Sequence, residues 1–301
     1  MDAAPTSKSD GGSFRSVFRD GLFAGQVMIV TGGGSGIGRC TAHELCHLGA
    51  RLALIGRKKE KLDAVAAELR ADNARADVDV FACDIREEEA VRAAVAAIVK
   101  RFGRIDGLVN NAGGQFPAPL SQISQKGWDA VVRNNLTGGF LMARECYTQW
   151  MADHGGAIVN IVADMWGGMP NMGHSGAARA GMVNFTETAA VEWAPSGVRV
   201  NAVAPGWIAS SGIDTYPDWM TPVIRGMKRE VPLQRLGTES EVSAAIVFLL
   251  SPAAAFITGD CLRVDGAVPN ARRNYELPKH DRSQPWNGFH RATTPNVLRE
   301  E

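Results

Sequence analysis

The stretch Gln26-Val27-Met28-Ile29-Val30-Thr31-Gly32-Gly33-Gly34-Ser35-Gly36-Ile37-Gly38 decides the fold. An apolar, β-branched run ends at Thr31, and five glycines follow within seven residues before a helical pattern begins. A turn so poor in side chains lets backbone N–H groups approach a pyrophosphate, and the N-terminus of the following helix adds about half a positive charge. Side chains at these places would block the approach. A glycine cluster alone is a flexible turn. At a strand-to-helix junction it reads as a dinucleotide cradle.

Working outward, further apolar runs recur at Arg51–Ile55, Val78–Cys83, Ile105–Asn110, Ala157–Val162, Val198–Ala204 and Cys261–Val264. Between them, Glu60–Asp72 and Glu87–Phe102 carry apolar residues at three- and four-residue spacing. The alternation predicts an α/β fold: a Rossmann-type, doubly wound sheet of about seven parallel strands in a single domain. Ser121–Asp153 and Gly173–Trp193 are long enough for extended helices, packed on the sheet or on a neighbouring subunit. Residues 1–23 read as an N-terminal extension, 24–269 as the nucleotide-binding and catalytic domain, and 270–301 as a C-terminal tail. Within the domain, 207–236 holds Pro217, Pro222 and Pro232 among aromatic residues and methionines, which reads as a substrate lid. The tail, poor in aliphatic residues, is either disordered or laid across another subunit.

The 301 residues are 45% apolar and 21% charged, which excludes wholesale disorder. Thirty-two basic residues balance 32 acidic ones, so charge gives no reason to expect nucleic acid or an anionic membrane as partner. The apolar run Ala244–Leu250 is far below the roughly 20 residues of a membrane span, and the first twenty residues lack a secretory apolar core. A cytoplasmic protein is expected. Five cysteines without a C-x-x-C pair suggest neither a disulfide scaffold nor a metal site.

The second strand ends at Ile55-Gly56-Arg57-Lys58. An acid at this point commonly bonds both ribose hydroxyls of NAD, whereas Arg57 offers a planar fork to a 2′-phosphate. The reading favours NADP (NADPH) over NAD. The plain alternative is a solvated basic helix start.

The spacing Thr-Gly-x-x-x-Gly-x-Gly resembles that of the short-chain dehydrogenase/reductase family. Further matches follow in order over roughly residues 24–266: Asp84-Ile85, Asn110-Asn111-Ala112-Gly113, Asn135-Leu136-Thr137-Gly138 and Pro205-Gly206-Trp207-Ile208. The resemblance implies that Thr31, Gly32, Gly34, Ser35, Gly36, Ile37 and Gly38 cradle the cofactor. It implies that Asp84 and Ile85 flank the adenine and that Asn111, Ala112 and Gly113 line the nucleotide cleft. Pro205, Gly206, Ile208 and Ser210 would lie toward the nicotinamide. It also implies a homo-oligomer, commonly a tetramer, formed through the two long helices.

The chain departs from the family at the chemistry. Most members carry a Ser and then Tyr-x-x-x-Lys, whose tyrosine exchanges a proton with the substrate oxygen. Here Ala163 stands at the serine position, Ser175 at the tyrosine and Arg179 at the lysine, while Asn135 is retained. A general acid contributes about 10²–10⁴-fold, or about 3–5 kcal/mol, and a serine hydroxyl is a poor replacement for a phenol. Arg179 cannot serve as a base near neutral pH, yet it can grip the ribose and favour nearby negative charge. Ketone reduction is disfavoured. Building a delocalised enolate is less demanding, since one well-placed oxyanion donor is worth about 2.7–4 kcal/mol.

His174-Ser175-Gly176-Ala177-Ala178-Arg179-Ala180-Gly181 resembles the peroxisomal trans-2-enoyl-CoA reductase branch, related to the 2,4-dienoyl-CoA reductases. That implies NADPH-dependent reduction of a 2-enoyl-CoA, with Asn135, Ser175 and Arg179 at the reacting centre and Ser175 holding the thioester oxygen. The C-terminal Arg-Glu-Glu is not a Ser-Lys-Leu peroxisomal address, which favours a cytosolic relative. Two other readings stand: an alcohol or aldehyde dehydrogenase of the citronellol type, and a nucleotide-binding scaffold without catalysis. The proton donor is open among Tyr216, His174, Asp164 and water, because none of Tyr147, Tyr216 and Tyr275 falls at the family position.

Overall fold

In the computed structural model, which describes residues 13–271 and 277–299, seven parallel strands form one sheet in the order β3-β2-β1-β4-β5-β6-β7. In chain order the elements are β1 (Val27–Thr31), α1 (Gly36–His47), β2 (Arg51–Gly56), α2 (Lys59–Asp72), β3 (Val78–Ala82), α3 (Glu88–Phe102) and β4 (Gly107–Asn110). They continue with α4 (Gln125–Val132), α5 (Gly138–Cys146), α6 (Ala152–His154), β5 (Gly156–Ile161), α7 (Gly173–Glu192), β6 (Val198–Pro205), α8 (Thr221–Gly226), α9 (Glu239–Leu250) and β7 (Cys261–Val264). The predicted runs and the observed strands coincide to within about two residues.

Every residue of β1 is buried, because helices cover both faces of the sheet. Leu45 of α1, Leu62 of α2 and Ile246 of α9 pack on one face; Val95 of α3, Met142 of α5 and Ala189 of α7 pack on the other. Five-residue π-helical segments, Arg133–Thr137 and Tyr147–Met151, join α4 to α5 and α5 to α6. The expected long helix is therefore one body with two wide turns. π-Turns of this kind mark functional sites often enough to be informative, and the first carries Asn135.

The strand order reverses between β1 and β4, so a crevice opens at their C-terminal ends, where open α/β sheets bind ligands. Thr31 fastens it. Its Oγ1 accepts the N–H groups of Asn111 (3.0 Å) and Ala112 (2.9 Å) and donates to the Val109 carbonyl at 3.2 Å.

The tail's described residues, 277–299, lie on their own domain. Phe289 is buried against Phe14 and His43, Asp72 bonds His290 and Arg291, and the Trp286 N–H donates to Glu241. Farther on, Asp214 accepts the N–H groups of Asn296 and Val297, both at 3.0 Å, which ties the tail to the segment after β6. Polar side chains and backbone groups make most of these contacts, so the lack of aliphatic residues did not announce them.

Candidate active site

A cleft of about 650 Å³ runs from the glycine turn past the ends of β4 and β5 to the segment after β6. Its cofactor end is made from backbone. Gly32 (φ +67°) and Gly36 (φ +56°) adopt the left-handed conformation that L side chains resist. A Cβ on Gly38 would come within 2.4 Å of the Gly32 carbonyl oxygen and 2.5 Å of Asn111 Nδ2. Asn111 in turn donates from Nδ2 to the Thr31 carbonyl at 3.0 Å, which locks the turn to β4. Ser35 precedes α1 without a side-chain cap, and the first turn of the helix carries no acid. Its N–H groups are left for an anion. This geometry fits the pyrophosphate of a nicotinamide dinucleotide.

The structure brings most of the predicted residues to this cleft. Gly32, Gly34, Ser35, Gly36 and Ile37 line its floor; Arg57, Asp84 and Ile85 line the far wall; Asn111 to Gly113, Arg179, Pro205, Gly206, Ile208 and Ser210 line the rest. Arg57 is exposed at the rim beside Lys58 and Lys61. Asp84 is held by Arg86, whose Nε lies 2.9 Å from Oδ1, and this partner keeps its carboxyl below the usual range. Thr31 and Gly38 stand behind the lining and shape it, as described above.

Asn135 and Ser175 are not in the lining. Asn135 clasps the backbone of one residue: its Oδ1 accepts the Gly114 N–H and its Nδ2 donates to the Gly114 carbonyl, each at 2.9 Å. Its side chain packs on the loop after β4, whose Gly113 and Gly114 line the cleft. Ser175 is fully buried and donates its hydroxyl proton to Gln115 Oε1 at 2.6 Å. In this arrangement it cannot also donate to a substrate oxygen, which removes the direct oxyanion contact expected of it. His174 is buried too, with Nδ1 accepting the Ser175 N–H at 2.9 Å and its ring edge-on to Phe116.

Arg179 is the unusual group. The residue is half-buried, Nη1 donates to the Ile161 carbonyl at 2.5 Å, and Nε is closed off from solvent with no partner among the described residues. A Cβ on Gly113 would touch Nη2 at 2.6 Å, so that glycine is needed beside the cation. Burial lowers its pKa to about 10, which leaves it charged at neutral pH. Asp164, in the lining past β5, has its pKa raised by burial and then by the charge of Asp265.

Sequence reasoning missed Gln115, whose Nε2 donates to the Tyr216 hydroxyl at 2.8 Å while its oxygen holds Ser175. A lone glutamine in a loop carries no signal. It also missed an apolar lining at the substrate end, where Met169, Met172, Ile213, Met220, Ile224 and Met227 converge.

These features define a nicotinamide-nucleotide oxidoreductase of the single-domain Rossmann type. The family model described as Enoyl-(Acyl carrier protein) reductase matches residues 32–268. The chain is 38% identical to a peroxisomal 2,4-dienoyl-CoA reductase of Danio rerio, with 85% of each chain covered. It is 37% identical to a probable 2,4-dienoyl-CoA reductase of Bacillus subtilis (strain 168), over 80% of this chain and 95% of that one. Among solved structures, a citronellol catabolism dehydrogenase of Pseudomonas aeruginosa PAO1 is 61% identical with a TM-score of 0.76, covering 84% of this chain and 98% of that one. The chain belongs to the short-chain dehydrogenase/reductase family.

Proposed function

We propose that the protein uses NADPH to reduce the 2,3-double bond of an unsaturated acyl-CoA thioester. The observation that carries this reading is Arg179: a half-buried cation whose guanidinium bonds only the Ile161 carbonyl among the described residues, in the wall of the cleft, where the family pattern has lysine. The Nη2 donors make no hydrogen bond to the described residues, and a ribose hydroxyl or a developing enolate would supply a partner. Bound in the glycine cradle, NADPH would deliver hydride to the β-carbon. The fixed charge of Arg179 would then favour the enolate that remains on the substrate. The convergent methionines offer polarizable, adaptable surface for an acyl chain. Arg57, Lys58 and Lys61 at the rim support NADP over NAD through attraction to a 2′-phosphate. Assembly into a homo-oligomer through α5 and α7, and a cytoplasmic location, belong to the same proposal; among the described residues no helix is long and apolar enough to cross a membrane.

The 61% identical dehydrogenase favours a second reading, oxidation or reduction of a branched terpenoid alcohol or aldehyde at the same apolar end. One assay separates them. NADPH oxidation is followed with crotonyl-CoA and longer 2-enoyl-CoA esters, and NADP reduction with citronellol. The proposal expects turnover of the enoyl esters. Turnover of citronellol alone selects the second reading, and tight NADPH binding with neither leaves a nucleotide-binding protein without catalysis.

A further inference from the structure

Three side chains from distant segments meet at the substrate end of the cleft. The Ser175 hydroxyl donates to Gln115 Oε1 at 2.6 Å, and Gln115 Nε2 donates to the Tyr216 hydroxyl oxygen at 2.8 Å. We propose that Tyr216 is the catalytic acid of this enzyme, set in place by Ser175 acting through Gln115. The inference rests on the oxidoreductase reading of the cleft and not on which substrate it takes.

Direction is the core of the argument. Ser175 commits its proton to the amide oxygen, so the amide nitrogen faces Tyr216 as a donor. Because Tyr216 accepts that bond, its own O–H remains free, and the ring lines the cleft. The same N–H would stabilise the phenolate left after proton transfer. The alternatives among the described tyrosines fall away: Tyr147 bonds Ser196 Oγ at 2.9 Å and stacks on Trp193, outside the cleft lining. Tyr275 lies outside the described residues. The serine at the family's tyrosine position therefore keeps a part in acid catalysis at one remove, as a positioning residue, and the phenol arrives from the lid.

The step balances. After hydride has reached the β-carbon, the electron pair of the double bond rests on the enolate; its α-carbon takes the Tyr216 proton as the O–H bond breaks. The phenolate regains a proton from water, since Tyr216 is only half-buried and its neighbours Thr215 and Pro217 are exposed. For a carbonyl substrate, the same proton would go to the alkoxide oxygen.

Full-length Tyr216→Phe is compared with wild type on whichever of crotonyl-CoA or citronellal the enzyme reduces. A positioned acid contributes about 10²–10⁴-fold, so kcat should fall at least about 100-fold while NADPH affinity by fluorescence stays within about twofold. Gln115→Leu should lower kcat by about tenfold and move the alkaline limb of its pH profile, which a merely structural loss would not do. A Tyr216→Phe rate within about threefold of wild type overturns the proposal, as does an Asp164→Asn variant that loses all turnover while Tyr216→Phe keeps it. If the wild type reduces neither probe, the functional reading falls separately. A crystal structure with NADP and butyryl-CoA then decides: the Tyr216 hydroxyl is expected within about 3.5 Å of the acyl α-carbon or carbonyl oxygen, and a hydroxyl turned to solvent sinks the assignment.

Discussion

The two ends of the cleft are built in opposite ways. At the cofactor end, contacts are made by backbone and glycines within a few residues of one another: Gly32, Gly36 and Gly38 in one turn, pinned by Asn111 at the neighbouring strand end. At the substrate end, contacts join segments remote in sequence. Ser175 and Gln115 are 60 residues apart, Gln115 and Tyr216 are 101 apart, and Asp214 and Asn296 are 82 apart. A site made of local backbone has its chemistry fixed by the fold. A site made of long-range side-chain contacts can be rebuilt for another substrate without disturbing the sheet.

Arg179 stands at the boundary, and Arg179→Met gives the largest effect expected. Losing a charge-stabilising donor at the reacting oxygen should lower kcat about 100- to 1000-fold, the equivalent of about 2.7–4 kcal/mol. Stability should move the other way. A partly desolvated cation with no ion partner among the described residues costs the fold, and a hydrophobe of similar reach is often neutral or stabilising by about 1–4 kcal/mol. Kinetics and thermal unfolding of the same variant check both signs. A variant that is both slower and markedly less stable would make Arg179 structural and blur the boundary.

Next in size is Glu239, at the start of α9, whose Oε1 lies 3.9 Å from where a Cβ of Gly36 would stand. Burial raises its pKa from 4.5 to about 7, against the opposing pull of Arg39 and a backbone bond from Ser211. The native state thus holds the proton more tightly than the unfolded chain. The resulting stability is fully present below about pH 4.5 and is lost as pH rises through about 7, a change on the order of 3 kcal/mol at 1.36 kcal/mol per unit. Denaturant titrations at pH 5 and pH 8 should show Glu239→Gln flattening this fall. NADPH should also bind the variant more tightly at pH 8, because no carboxylate then opposes the phosphates at the helix terminus. Superimposable profiles would show that the turn carries no titrating neighbour. Smaller again is Arg57→Ala, expected to weaken NADPH about tenfold, or 1.4 kcal/mol, and to leave NADH unchanged. Equal affinity of the wild type for both nucleotides would remove that contact from the cofactor end.

The same contrast governs what could be read from residues alone. The strands and the glycine cradle were legible because apolar runs and Gly at fixed offsets are consequences of local sterics. So were Arg57 and Arg179, since a charged residue at a defined strand end or helix position announces its neighbourhood. Asn135 was legible as a motif but its partner was not, because the Gly114 backbone it holds is brought to it from another segment of the chain. Gln115 was illegible: its importance exists only once two other segments fold onto it. The tail was illegible for a related reason, as Asp72, Asp214 and Ser240 hold it by scattered polar bonds that leave no periodicity.

The smallest effect sought would separate the ends most cleanly. Asp214 accepts two tail N–H groups at 3.0 Å, and Arg225 donates to the Val297 and Arg299 carbonyls at 2.8 and 3.1 Å. All four bonds are exposed, so each is worth no more than about 0.5–1.5 kcal/mol, and the Arg225 pair persists when Asp214 is replaced. Asp214→Ala should therefore loosen the segment that carries Tyr216 without releasing it. KM for the acyl substrate should rise two- to threefold, within about 1 kcal/mol, with NADPH affinity and the pH 5 to pH 8 stability difference unchanged. Limited trypsin digestion should cut this segment at Arg225 or Lys228 sooner than in wild type. An equal loss of NADPH affinity would mean that the tail supports the whole cleft, and the division between a local cofactor end and an assembled substrate end would not hold.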